Sequence, residues 1–218
     1  MQKDTRVCFI GDSFVAGVGD PDHRGWAGRL ASAVPGGPIT SYNLGVRRQT
    51  TRDIEARWFV EAQARLPRGC DARVVFSCGV NDTTEEGGET RVERAESVSN
   101  LRSMTELAKR QGWQLWVVGP PPVFDELQNE RTRMLDEDFA AMCEQQNIQY
   151  CSVFDDLRAN ELWMRQVAEG DGAHPGRGGY EVFTQLLTPT WLAWIEGSSA
   201  TPAAGSGAQN LDGAADSV

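Results

Sequence analysis

Hydrophobic residues fall along this chain in two alternating patterns: short unbroken runs, and longer stretches in which they recur at helical spacing. The runs read as strands buried on both faces of a parallel sheet, and the spaced sets as helices that cover it. Val7 to Ile10 is the first run, closed by Gly11. Trp26, Leu30 and Val34 stripe a short helix that Pro35, Gly36, Gly37 and Pro38 end. Ile39 to Leu44 predicts a second strand stopping at Gly45, after which Thr50 or Thr51 caps a helix with Ile54, Trp58, Ala62 and Leu66 on one face. Arg73 to Cys78 is the third strand. An acidic loop, Thr84 to Glu89, leads to a helix over about 91–111 with Val98, Leu101, Met104, Leu107 and Ala108 inward. Leu115 to Val118 is a fourth strand that Pro120, Pro121 and Pro122 stop. The pattern then predicts a helix over 131–146, a fifth strand over 149–154 ending at Asp155, and a helix over about 156–168. A closing helix, started at Pro175, runs to about Ile195.

Strands alternating with helices predict the α/β class: a flavodoxin-like three-layer α/β/α sandwich on a five-stranded parallel sheet of order 2-1-3-4-5. The switch point then falls between the first and third strands, so Ser13, Gly45 and Asn81 are expected near one crevice. One domain, residues 1–196, accounts for the pattern. Residues 197–218, rich in Gly, Ala, Ser, Thr and Pro without periodicity, read as a disordered tail.

Composition removes several function classes. At 218 residues and 40% hydrophobic content the chain can bury a full core. The opening residues reach an acidic side chain too early for a signal peptide and no apolar run is of membrane length, so a cytoplasmic protein with no membrane partner is expected. A net charge of -10 argues against nucleic acid. Cys8, Cys70, Cys78, Cys143 and Cys151 are odd in number and lack CxxC spacing, which reads as free thiols rather than disulfides or a zinc site. No metal or other cofactor is expected.

Acyl transfer by a serine needs a base for the hydroxyl proton, a carboxylate to orient that base, and donors aimed at the developing oxyanion. The chain has two histidines. His23, in DPDHRG, reads as a solvated loop residue. His174 follows Asp171 by three positions, a spacing that lets the carboxylate reach Nδ1 while Nε2 faces the crevice. The same two residues also suit a cap for the last helix. Ser13, in Gly11-Asp12-Ser13, is by itself either a nucleophile or a turn former.

Four blocks decide the direction: GDSF at Gly11 to Phe14, NLG ending at Gly45, GVND at Gly79 to Asp82, and DGAHPGRGGY at Asp171 to Tyr180. In this order they resemble the SGNH, or GDSL-type, hydrolase family of lipases and acylhydrolases, with Phe14 where the family name has leucine. The resemblance implies Ser13 as nucleophile, His174 as general base and Asp171 as its orienting partner. It also implies an oxyanion hole made by the N–H groups of Ser13 and Gly45 and the amide of Asn81. The implied activity is a serine ester hydrolase that cleaves short-chain acyl esters of small molecules through an acyl-enzyme. Thioesters and acetylated carbohydrates are alternative substrates within the family.

The residues themselves fit these roles. Gly45 lets its N–H approach a substrate oxygen, and Asn81 is a neutral donor. Asp12 and Asp82 are expected to bond local backbone, because an ionised carboxylate aimed at an oxyanion opposes the reaction. Val46, Val80, Pro121, Val123 and Trp163 are candidates for an acyl site or for plain core. Arg47 and Arg48 either hold a substrate carboxylate or phosphate or form a solvated face. Short loops with no long apolar lid favour short acyl chains. Two other classes stay open. A Mg²⁺-dependent phosphoester hydrolase would use Asp12, Asp82, Asp155 and Asp171, although the chain lacks a GxxxxGKS/T or GxGxxG phosphate loop. A binding protein could keep the fold without turnover.

Overall fold

The computed structural model describes residues 4–35 and 39–197. Its strands are β1 (Thr5–Gly11), β2 (Thr40–Gly45), β3 (Asp71–Ser77), β4 (Glu85–Glu86), β5 (Glu89–Thr90), β6 (Gln114–Val118) and β7 (Gln149–Cys151). Its helices are α1 (Ser13–Ala16), α2 (Gly25–Ser32), α3 (Thr51–Arg65), α4 (Arg94–Arg110), α5 (Glu126–Gln145), α6 (Phe154–Arg158), α7 (Glu161–Glu169) and α8 (Arg177–Glu196). The main sheet is parallel throughout and ordered β2-β1-β3-β6-β7, which is 2-1-3-4-5 once the separate β4–β5 hairpin is set aside.

Strand side chains alternate between faces, and each face buries a different helix set. Val7, Phe9, Val75, Trp116 and Val118 pack with Trp26 and Leu30 of α2, Trp163 of α7, and Phe183, Leu187 and Trp191 of α8. Cys8, Ile10, Val74, Phe76 and Val117 pack with Ile54 and Trp58 of α3, Leu101 and Met104 of α4, and Leu135 and Phe139 of α5. Each large apolar side chain removed from water contributes about 1.5–3 kcal/mol, so the two layers together hold the sheet. Buried Arg73 ties the far end of α8 to the start of β3. It donates to Asp71 at 2.9 Å, lies 5.1 Å over the Trp194 ring, and also donates to the Trp194 carbonyl.

Local chemistry moves several boundaries from their expected places. Thr50 caps α3 in a reciprocal box with Asp53, which frees Thr51 for another task. The acidic loop contains the β4–β5 hairpin, turned by Gly87 and Gly88 at φ 68° and 90°. Helix α5 begins at Glu126 rather than Arg131, because Asp125 Oδ1 accepts the Gln128 N–H at 2.8 Å. The fifth sheet strand stops at Cys151, and Phe154 opens α6 with Asp155 and Asp156 in its first turn, where acids favour the helix dipole. The expected 156–168 helix is therefore two, since Asn160 restarts the chain by accepting the Trp163 N–H at 3.0 Å. Helix α8 starts after Gly176, so Pro175 stands just outside it.

All five cysteines are free, and burial pushes the Cys8 and Cys143 thiols up to about 12. Among the described residues no helix is long and apolar enough to cross a membrane. Of the expected tail, residues 198–218 lie outside the described residues.

Candidate active site

The register sets Gly11 beside Gly45 on one neighbour and Ser77 on the other, so the strand ends form a level edge. At that edge β1 turns straight into α1. Asp12 caps the new helix by accepting the Phe14 N–H at 2.9 Å, and Gly17 ends it at φ 78°, in the left-handed region glycine tolerates. Ser13 is the first helical residue, so its own N–H has no intrahelical acceptor. A Cβ at Gly45 would lie 2.2 Å from the Ala16 nitrogen, which explains why only glycine fits beneath this turn.

His174 arrives from the loop before α8. Asp171 Oδ1 accepts the backbone N–H groups of Ala173 and His174 at 3.1 and 2.9 Å, which folds the loop around the carboxylate. With its proton on Nδ1, the imidazole donates to Asp171 Oδ2 at 2.8 Å and accepts the Ser13 hydroxyl on Nε2 at 2.8 Å. The Phe14 ring lies 4.9 Å from the imidazole and 6.3 Å from Trp163, so the aromatic residue after Ser13 supports the histidine from the core side. Ser13 is 2% exposed and Asp171 is 44% exposed at its side chain. Burial acts to raise the Asp171 pKa, but the His174 and Ala173 donors outweigh it and hold the carboxyl down at about 2.

Asn81 reaches the same edge from the end of β3. Its Nδ2 donates to the Gln49 carbonyl at 2.9 Å and stands 3.5 Å from Asp12 Oδ2. The Gly45 N–H is already donated to Asn43 Oδ1 at 3.0 Å. Burial, with the Asp82 charge adding to it, pushes the Asp12 carboxyl up to about 7. Asp82 is also raised by burial and is held by the Thr51 N–H and hydroxyl and by the Ser97 hydroxyl at 2.8 Å. Asp12 thus bonds local backbone as expected, whereas Asp82 is held by Thr51 and Ser97, which are distant in sequence and contribute hydroxyls as well as a backbone N–H.

Among known proteins, the GDSL-like Lipase/Acylhydrolase family model matches residues 9–182. The chain belongs to that family. Comparison with curated proteins finds no match. Solved structures with the same fold include a lipase/acylhydrolase from Enterococcus faecalis, 18% identical with TM-score 0.71 over 87% of this chain and 96% of that one. An acetylxylan esterase from Geobacillus stearothermophilus is 20% identical with TM-score 0.70, covering 87% of this chain and 94% of that one. A protein of the G-D-S-L family from Desulfitobacterium hafniense DCB-2 is 21% identical with TM-score 0.69, covering 85% and 98%.

In this GDSL-like hydrolase a cleft of about 530 Å³ opens over Ser13 and His174. Val80 and Val123 line it together with Phe14, Phe124 and Ala173. Three other candidates are not in its wall: Val46 is 39% exposed outside it, Pro121 is buried, and Trp163 is core that donates Nε1–H to the Pro122 carbonyl at 3.1 Å. Arg47 and Arg48 do line the cleft, and Arg47 reaches Asp171 Oδ2 at 3.4 Å. The four acids proposed for a metal are dispersed in role, and among the described residues no group of three or more His, Cys, Asp or Glu side chains is arranged to hold one.

Two contributors were not singled out from the sequence, although Asn43 stands in the NLG block. Asn43 holds Gly45 and, through Nδ2, the Val15 carbonyl at 2.7 Å. Arg57 donates to the carbonyls of Gly11 and Leu44 at 3.0 and 2.9 Å and to Gln49, bracing the ends of β1 and β2 under the site. Its position on the half-buried side of α3 was the available clue.

Proposed function

We propose that this family member is a serine ester hydrolase that cleaves short-chain acyl esters of small molecules through an acyl-enzyme, with residues 1–196 as its hydrolase domain. The observation that carries the reading is the unbroken relay from Ser13 Oγ through His174 to Asp171, two contacts of 2.8 Å each.

The chemistry runs in two halves. Ser13 Oγ attacks the ester carbonyl as its proton passes to His174 Nε2, and the carbonyl π electrons move onto oxygen. Asp171 stays ionised and stabilises the imidazolium through Nδ1–H. As the tetrahedral centre collapses, the C–O bond to the alcohol breaks and His174 returns the proton to that alcohol oxygen. Water then gives a proton to His174 and attacks the acyl group. Its collapse expels Ser13 Oγ, which regains the proton, and releases the acid.

On this reading three donors form the oxyanion hole: the Ser13 N–H, an Nδ2 hydrogen of Asn81 on giving up its long 3.5 Å contact to Asp12, and the Gly45 N–H on exchanging its bond to Asn43 for one to substrate. Below about pH 7 the protonated Asp12 beside Asn81 lowers the charge repulsion that an ionised acid would impose there. The open cleft and its modest apolar lining favour a short acyl chain. Two solved structures of the acetylxylan esterase are described as catalytic mutants, one at a serine and one at an aspartate, which accords with roles for such residues on this fold. The free thiols fit a reducing, cytoplasmic setting.

Intact-mass measurement after treatment with a fluorophosphonate tests the reading. Wild type should gain one adduct, and Ser13→Ala and His174→Ala should gain none. Folded wild type that stays unlabelled would overturn it.

A further inference from the structure

The mechanism leaves the cleft's cations unused. Arg47, Arg48 and Arg91 all line it, although the chain carries a net charge of -10. Arg48 holds φ at 67°, a left-handed backbone that side-chain-bearing residues other than asparagine and aspartate seldom adopt. The strain falls at a residue that lines the reacting serine's cleft.

The counter-ion of these arginines is incomplete. Arg48 Nη2 is 3.5 Å from Glu86 Oε1, and Arg91 Nε is 3.6 Å from the same oxygen. One carboxylate oxygen at that range leaves most of two five-donor guanidinium forks unfilled. Glu86 is 56% exposed and stands on the short β4–β5 hairpin, whose Gly87 and Gly88 have nothing packed against them. The other acids of the cleft are engaged: Asp171 with His174 and Arg47, and Asp125 at the cap of α5.

Building on the hydrolase reading, we propose that the cleft selects esters bearing an anionic group, a carboxylate or a phosphate, which replaces the tethered Glu86 carboxylate on Arg48 and Arg91. Glu86 occupies the place of the substrate anion until then. The apolar side of the cleft, Val80, Val123 and Phe124, packs the uncharged part of the same molecule.

Three acetate esters test this while keeping the reacting carbonyl alike: neutral phenyl acetate, 4-acetoxybenzoate and 4-acetoxyphenyl phosphate, followed by acetate release. The readout is the ratio of kcat/KM for each anionic ester to that for the neutral one, so a general loss of activity cancels. Wild type should favour at least one anion by about tenfold, and the larger ratio identifies carboxylate or phosphate as the preferred group. Arg48→Gln and Arg91→Gln should each collapse the ratio toward one, Arg48→Lys should restore part of it, and Glu86→Gln should raise it a few-fold by removing the competing carboxylate. A wild-type ratio near one, or ratios that none of these substitutions moves, would overturn the proposal. Turnover of phenyl acetate with no anion preference leaves the hydrolase reading standing and removes only this one, whereas turnover of none of the three overturns both.

Discussion

Residues 11–17 hold Ser13 by packing, whereas residues 171–174 hold His174 by hydrogen bonds. The first segment is almost wholly buried, with Ala16 against Gly45 and Phe14 stacked on Trp163, and its carboxyl, Asp12, is pushed up to about 7 by burial. The second is half-exposed, and its carboxyl, Asp171, is held down at about 2 by the three donors it accepts. Below about pH 7 one fold therefore keeps two aspartates close to one reaction in opposite charge states. Burial and the supply of donors both differ: Asp12 is 1% exposed with one backbone N–H within normal bonding distance, whereas Asp171 is 44% exposed at its side chain and accepts two backbone N–H groups and an imidazole.

The sharpest break in this contrast is Asp171→Asn. The amide cannot stabilise the imidazolium, so kcat should fall roughly 10³- to 10⁴-fold with little change in melting temperature. A small rate loss would show that the relay does not pass through Asp171. Next comes Asn81→Ala, which removes a donor and keeps the packed turn. Steady-state kinetics should record a fall of roughly 10²- to 10³-fold in kcat, and an unaltered kcat would take Asn81 out of the oxyanion hole. The smallest effect is on stability. With a folded pKa of about 7 against an ordinary 3.8, Asp12 keeps its proton in the folded state over a range where the unfolded chain has lost it. Stability therefore falls as pH rises from about 4 to about 7. Urea melts of Asp12→Asn should lose about 1–3 kcal/mol less than wild type between pH 4.5 and 7.5. Parallel pH profiles would mean that another group, such as Asp82, carries the titration.

Strand and helix order was readable because burial on both sheet faces leaves runs such as Val74 to Phe76, and because helices α3 and α4 show their apolar spacing plainly. The local devices were less visible. Asp125 followed by Gln128 is a capping signal that extends α5, yet no apolar stripe accompanies it. Asn160 splits one amphipathic stretch into two helices without interrupting its hydrophobic positions. At the site, the four motif blocks carried Ser13, Asn81, Asp171 and His174 to one crevice, since each follows a strand end or precedes the last helix. Pocket lining did not follow from sequence. Val80 and Trp163 look alike as isolated apolar letters, yet Val80 lines the cleft while Trp163 lies in the core stacked on Phe14.

The anchoring of α8 has a practical side. This helix runs about 30 Å from the loop holding His174 to the opposite edge of the sheet, where Arg73 fastens its last turn. Coupling the protein to a resin or electrode near Glu196 would direct the mouth of the cleft away from the support, toward the flowing solution.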